Sequence, residues 1–557
     1  LDSSAVAERA TGLVAAVRRQ RQGASGVDNL MHEFSLSSQE GIALMCLAEA
    51  LLRIPDDATV DRLIRDKISK GDWRAHLGRS ESLFVNAATW GLMITGRLVA
   101  TRREASLGNA LTRLIARGGE PLIRRGVEFA MTLLGQQFVM GETIDAALAR
   151  SQDNIRKGYT HSFDMLGEAA LTTDDAERYF HAYEQAIHTI GRSAAGRGVF
   201  RGPGISVKLS ALHPRYSRAQ RERVLAELYP RLLTLAKLAR RYDIGFNIDS
   251  EEADRLDLSQ DLLDRLAFAA ELDGWAGLAV AVQAYQKRAL PLVDHLSALA
   301  RASGRRLMVR LVKGAYWDGE IKRAQVDGLE GYPVYTRKDH TDLSYLVCAR
   351  RLLAAAEVIY PQFATHNAHT LAAVERMAID LNVTDYEFQC LHGMGETLYD
   401  NVVSGDRPGG RCRIYAPVGR HETLLPYLVR RLLENGANNS FVNRLVDEKV
   451  KIEELVIDPL AAVRKTGGSP HPAIPLPGKL YGDERRNSAG LDLSDERVLE
   501  QLTADLEHLK NQRWEAAPRI AAGSSEGGPA NEIRNPAERG AFSGSMARAV
   551  APPAAQA

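Results

Sequence analysis

From about residue 160 onward, short apolar runs alternate with amphipathic stretches. The runs are His161–Glu168, Ile205–Leu212, Phe246–Glu251, Leu278–Tyr285, Leu307–Gly314, Phe363–His366, Tyr386–Leu391 and Arg413–Ala416. Segments of helical period, such as Arg221–Arg240 and Leu290–Ala302, lie between them. This alternation predicts parallel strands joined by crossover helices, and eight strands predict an α/β fold closed into a (β/α)8 barrel. In Leu307-Met-Val-Arg-Leu-Val-Lys-Gly-Ala-Tyr-Trp-Asp318 a buried-strand run breaks at Gly314 into aromatic and charged residues, as the mouth of a barrel strand does.

The residues before the barrel read as helix throughout. Ser37-Ser-Gln-Glu40 fits a capping box ahead of the apolar Gly41–Ile54 segment, and Val60, Leu63, Ile64 and Ile68 form one apolar stripe after Pro55. After Gly467-Gly-Ser-Pro470 the pattern weakens to one short helix, from Ser494 as N-cap to Gln512. The expected divisions are a helical arm at 1–55, a helical region at 56–155, the barrel at 156–465, a linker with a short helix at 466–514 and a flexible tail at 515–557. The tail is rich in Ala, Gly, Pro and Ser and poor in large apolar side chains.

Composition narrows the function. Of 557 residues 45% are hydrophobic and 25% charged, and the net charge of +1 gives no reason to expect a nucleic-acid partner. The four cysteines, at 46, 348, 390 and 412, show no CxxC pairing and read as buried free thiols in a reducing compartment. No apolar run of 18 residues and no export signal is present, so the expectation is a cytoplasmic protein, with peripheral contact at the inner membrane left open.

Polar residues gather where the candidate strands end: Lys208 and Ser210, Asp249 with Glu251 and Glu252, Gln283, Arg310 and Tyr316, and Tyr415. Strand ends converging on one cleft form a functional-site pattern. On a helix near the end of the barrel, Arg430 and Arg431 sit about 100° apart and can flank one ligand. Their planar donors suit a carboxylate, and Glu434 one turn on can hold a guanidinium or meet an ammonium. A surface ion pair has the same spacing, so both readings stay open. His366, His369 and His392 with Asp249 and Glu251 are donors of the right type for a metal-dependent hydrolase or lyase, but no tight ligand pair is present, and no metal is expected. Gly196, Gly198 and Gly202 form GxGxxxG ahead of a strand, where a dinucleotide loop would follow one, and read as a loop.

Seven segments, in order, resemble motifs of the proline dehydrogenase family, especially its bifunctional bacterial members. They are Lys208-Leu-Ser-Ala-Leu-His-Pro-Arg-Tyr216, the Asp249 strand, Arg310-Leu-Val-Lys-Gly-Ala-Tyr-Trp317, Thr365-His-Asn-Ala-His369, Gln389-Cys-Leu-His-Gly-Met-Gly395, Tyr415 and the Arg430-Arg431 helix. The resemblance covers roughly residues 160–460. It implies FAD across the barrel mouth, L-proline as substrate, hydride transfer from proline C5 to flavin N5, 1-pyrroline-5-carboxylate as product and membrane quinone as electron acceptor. It places Arg430 and Arg431 on the proline carboxylate with Glu434 beside them, Lys208 as a cation near substrate and flavin, and Asp249 as its polar neighbour. Tyr316, Leu391 and Tyr415 wall the ring. The implied flavin contacts are Gln283, Arg310, Val312, Gly314, Ala315, Trp317, Thr336, Lys338, Thr365, His366, Asn367, Gln389, Glu434, Ser440 and Phe441.

Bifunctional relatives continue into an aldehyde dehydrogenase, and Asn531-Glu-Ile-Arg-Asn-Pro536 looks like its opening, while no cysteine follows Cys412 to serve as its nucleophile. The second activity is therefore expected to be missing. Some relatives bind DNA through an added amino-terminal module. The basic run Arg18-Arg-Gln-Arg21 is too short for such a footprint and reads as a solvated helix face. The helical arm is the candidate dimerisation element.

Overall fold

The structure, a computed structural model, describes residues 2–21, 56, 59, 138–403, 409–420, 427, 430, 441–446, 450–510, 512, 514–516, 529–536, 540 and 542–547. The capping box at Ser37, the Gly41–Ile54 segment, the Val60 stripe and Cys46 lie outside them. The chain divides into two units, Leu1–Gly490 and Leu491–Ala557.

In the first unit eight parallel strands close into a barrel: β1 (Thr160–Met165), β2 (Gly204–Val207), β3 (Gly245–Ile248), β4 (Leu278–Gln283), β5 (Leu307–Val312), β6 (Ile359–Ala364), β7 (Glu387–Leu391) and β8 (Cys412–Val418). The ring closes where β1 pairs β8, Ser162 facing Tyr415. Several bounds differ from the sequence reading. The first strand stops at Met165, and the second leaves the ladder after Val207 into a helical turn at Leu209–Leu212. At that exit the Lys208 N–H donates to the Tyr183 hydroxyl at 3.1 Å instead of to a neighbouring strand.

Most of the strands carry polar residues on one face and apolar residues on the other, with Ala279, Ala281 and Met308 as apolar exceptions on the polar face. Phe163, Ile205, Phe246, Leu311, Phe363 and Ile414 are buried outward under the helices. Ser162, Asp164, Ser206, Asn247, Gln283, Arg310, Gln362, Glu387, Gln389 and Arg413, also buried, occupy the alternate positions. A barrel interior is usually filled by bulky branched side chains. Here charges and amides fill it, and near the amino-terminal end of the strands Arg413 bonds both oxygens of Glu387, at 2.7 and 3.1 Å, and the carbonyls of Gly202 and Phe200, at 2.8 and 3.0 Å.

The covering helices are α1 (Ser3–Arg21), α2 (Ile144–Arg156), α3 (Thr173–Ala194), α4 (Arg221–Arg241), α5 (Leu256–Ala267), α6 (Ala289–Ser303), α7 (Trp317–Asp327), α8 (Lys338–Ala354) and α9 (Ala368–Asp380). Thr172 starts α3 with a capping box closed by Asp175. The described part of the expected arm, α1, lies on its own barrel. Val6, Ala10, Leu13, Val14 and Val17 form its buried seam, and Arg9 meets Glu375 of α9 at 2.9 Å. Arg18 is no solvated face: its guanidinium donates to the carbonyls of Leu445 and Val450 at 3.1 and 2.8 Å. The GxGxxxG segment is a helical turn, Gly198–Arg201, leading into β2.

The second unit holds α10 (Glu496–Lys510) and the strands β9 (Trp514–Ala516), β10 (Ala530–Arg534) and β11 (Phe542–Ala547) in one sheet. Part of the expected flexible tail is thus paired, and Asn531-Glu-Ile-Arg534 belongs to β10. Helix α10 starts later than expected, because Asp495 caps it: its carboxylate accepts the Arg497 N–H at 3.0 Å, while the Ser494 hydroxyl turns back to Asp492 at 2.6 Å.

Candidate active site

At the carboxyl ends of the strands lies a cavity of about 840 Å³. Every described residue that the sequence reading assigned to substrate or cofactor lines it: Lys208, Asp249, Gln283, Arg310, Val312, Gly314, Ala315, Tyr316, Trp317, Thr336, Lys338, Thr365, His366, Asn367, Gln389, Leu391, Tyr415, Arg430 and Phe441. Arg431, Glu434 and Ser440 lie outside the described residues.

The floor is an ionic network. Asp249 accepts from Arg310 at 2.7 Å, from Asn247 at 2.7 Å and from the Tyr415 hydroxyl at 2.7 Å. Arg310 also donates to Ser206 at 3.0 Å and lies over the Tyr415 ring at 5.1 Å. Lys208 Nζ sits 2.6 Å from Asp164, 3.4 Å from Tyr415 and 3.7 Å from Asp249. Burial pulls the Lys208 ammonium down, but Asp164, Tyr415 and Asp249 outweigh it and raise it well above the ordinary lysine range, so it stays charged. Burial pushes the Tyr415 phenol up, so it stays protonated and able to donate.

One wall comes from the break after β5. Gly314 has φ +138°, and a Cβ there would stand 2.4 Å from the Tyr285 ring, so only glycine fits. The next residue, Ala315, donates its N–H to Gln283 at 3.3 Å, and Gln283 donates to the Glu251 carbonyl at 2.7 Å. Gln283 therefore ties the wall to the turn after β3 as well as facing the cavity. Helix α7 is fastened to the same turn by Glu320, whose carboxylate accepts the Ala253 N–H at 2.6 Å. Burial raises the Glu320 carboxyl to about 7 against that hydrogen bond, with Asp254 and Glu252 adding to the rise. The loop that carries Glu252 and Asp254 is half-buried and paired: Glu252 meets Arg255 at 3.3 Å and Asp254 meets Arg323 at 2.7 Å.

Arg430 stands over the Tyr316 ring at 5.2 Å. Glu168 takes its guanidinium in two bonds, at 2.6 and 2.9 Å. Burial raises the Glu168 carboxyl and Arg430 more than reverses this, holding it below the usual range. A carboxylate ligand for Arg430 would thus replace a carboxylate already there, in the geometry such a ligand needs.

At another part of the lining Asp342 is gripped by Lys313 and by Lys338, the latter at 2.8 Å. Burial raises its carboxyl, but the two lysines outweigh this and bring it down to about 2. Arg337 and His471 lie on the same lining, and the His471 N–H donates to the Thr336 hydroxyl at 3.0 Å. Lys313, Lys338 and Arg337 suit a phosphate-bearing group. Two of the three histidines drawn as metal donors are separately engaged: His366 Nε2 accepts the Leu391 N–H at 3.0 Å and His392 Nδ1 faces Glu396 at 3.2 Å. Among the described residues no group of three such donors converges.

Asp164, Glu168, Lys313, Asp342, Glu320 and His471 were passed over in the sequence. For Asp164 a signal existed, since Ser162-x-Asp164, Ser206-x-Lys208 and Asn247-x-Asp249 repeat polar residues at period two in three successive strands.

The family profile described as proline dehydrogenase matches residues 147–444, and one described as DNA-binding domain of proline dehydrogenase matches residues 26–138. The second match overturns the expectation that nothing in the chain resembles a DNA-binding module; net charge and the lack of a long basic run could not reveal it. Almost all of that segment lies outside the described residues. The chain is 60% identical over 534 residues to the bifunctional protein PutA of Escherichia coli strain K12, covering 93% of this chain and 40% of that protein. It is 56% identical over 546 residues to bifunctional PutA of Rhizobium meliloti, covering 97% and 44%. A crystal structure of a mutant Bradyrhizobium japonicum proline utilization A aligns with a TM-score of 0.71 at 45% identity, covering 94% of this chain and 51% of that one. The chain thus spans about two fifths of the length of these curated relatives.

Proposed function

The chain belongs to the proline dehydrogenase family, and from that premise we propose that it oxidises L-proline to 1-pyrroline-5-carboxylate. One juxtaposition carries the reading: a guanidinium held in bidentate carboxylate geometry beside Tyr316 opens onto the cavity whose floor carries Lys208 and Arg310. The residues present fit FAD: Lys338 and Arg337, with His471 beside them, would hold its diphosphate, and the Gly314 turn and the ionic floor would hold its ring system, in a volume within the usual range for ligand sites. Bound there, FAD would accept at N5 the hydride leaving proline C5 and pass the electrons to membrane quinone.

The chain's own residues do the rest. Arg430, with Arg431, holds the proline carboxylate, and Glu168 gives way to it. Tyr316, Leu391 and Tyr415 wall the ring and exclude water, which fixes orientation, the largest part of the barrier a protein can remove here. Lys208 and Arg310 line the cavity as fixed donors for the electron-rich product state. Proline deuterated at C5 tests this directly. Flavin reduction should slow several-fold with it and not with proline deuterated at C2; the reverse pattern, or no effect in either, contradicts the assignment.

A further inference from the structure

Asp164 does not line the cavity, yet it holds the residue that does. It is fully buried on β1. Its Oδ1 lies 2.6 Å from Lys208 Nζ, and its Oδ2 has no hydrogen-bond partner among the described residues. A buried carboxylate with a bare oxygen is costly unless a charge partner offsets it. Asp249, the other carboxylate near Lys208, is committed elsewhere: one oxygen takes Arg310 and Asn247, and the other takes Tyr415. Lys208 stands 3.7 Å from it, beyond hydrogen-bond reach. The floor thus carries two cations, Lys208 and Arg310, against two carboxylates, Asp249 and Asp164.

Resting on the flavin reading above, we propose that Asp164 is a positioning residue: it fixes the Lys208 ammonium toward the cavity and sets the net charge of the floor. The cation that faces a bound flavin is aimed from behind by a carboxylate that never touches the ligand. Without the Asp164 charge, Arg310 and Lys208 are opposed by Asp249 alone, and the floor turns positive.

The test is Asp164→Asn in the holoenzyme, alone and with Lys208→Met, after the wild-type flavin spectrum has been recorded. Near neutral pH the single variant should favour reduced flavin about tenfold, a rise of about 30 mV for a two-electron couple. Against Lys208→Met, the same substitution should shift the ratio less than about threefold, since burial raises the Asp164 carboxyl once the Lys208 ammonium that counters it is gone, and a protonated Asp164 has no charge to lose. An unchanged potential in the single variant overturns the proposal, and so does a full shift in the double variant. Folding supplies a second readout that needs no flavin. If Asp164→Asn does not fold while the double variant does, the Lys208 ammonium left unpaired is the cause and the proposal stands; if neither folds, Asp164 holds something besides Lys208 and the proposal falls. A wild-type protein that takes up no flavin would sink the functional reading instead, and the folding comparison would still decide the pairing.

Discussion

The two ends of the barrel interior use the same chemistry to opposite ends. Near the amino-terminal end the nitrogens of Arg413 are all bonded, to Glu387 and to backbone carbonyls, and Glu387 also takes Gln362 and Gln389 at 2.7 and 2.9 Å. At the carboxyl end Arg310 Nε and Asp164 Oδ2 lack partners among the described residues, and the network opens onto a cavity. Both are buried ion-pair networks on a shared set of strands. One saturates its charges and closes the barrel; the other leaves charge facing space. Buried charge alone therefore does not mark a site, whereas unspent charge beside a cavity does.

The contrast breaks most readily at the mouth. Arg430→Ala combined with Arg431→Ala should lower kcat/KM for proline by about 10²- to 10⁴-fold, the worth of two charge-assisted hydrogen bonds, with flavin content largely kept. Unchanged proline kinetics would remove the carboxylate clamp. At the closed end Arg413→Met strands Glu387 and should cost about 3–5 kcal/mol in denaturant unfolding. The folded fraction should keep its flavin potential; a shifted potential would show that the two networks are one.

The smallest effect sharpens the line between fold and site. Glu320 is buried beside the mouth without lining it, and its carboxyl is raised from 4.5 to about 7. The folded state holds that proton more tightly, so the contribution to stability is fully present below about pH 4.5 and is lost as pH rises through about 7. Glu320→Gln, which still offers an oxygen to the Ala253 N–H, should remove this dependence, on the order of 3 kcal/mol between the two limits. Unfolding curves of both proteins at acid and mildly alkaline pH check it; parallel pH profiles would show that Glu320 does not titrate in the fold.

The fold was legible because hydrophobic period and element alternation are local properties, and all eight strands overlap the predicted runs, although β6 starts at Ile359 and shares only Phe363 and Ala364 with its run. Their ends were less so. Lys208 leaves the ladder because the Tyr183 hydroxyl, 25 residues away, takes its N–H. The motif residues were legible from resemblance, but their partners were not: Arg430 meets Glu168, 262 positions earlier, and no helical spacing reveals that. Reading the strands as uniformly apolar hid the inward polar alternation of Ser162, Asp164, Glu387 and Arg413. Period two within an otherwise apolar run was the available signal.

The account's central claim is that the open network faces a flavin that takes electrons from proline. The most direct measurement is the visible absorption spectrum of the purified protein, supplied with FAD and then mixed with L-proline without air. Flavin bands that bleach on adding proline are the predicted result; a protein that takes up no flavin, or whose bands proline leaves unchanged, would contradict it.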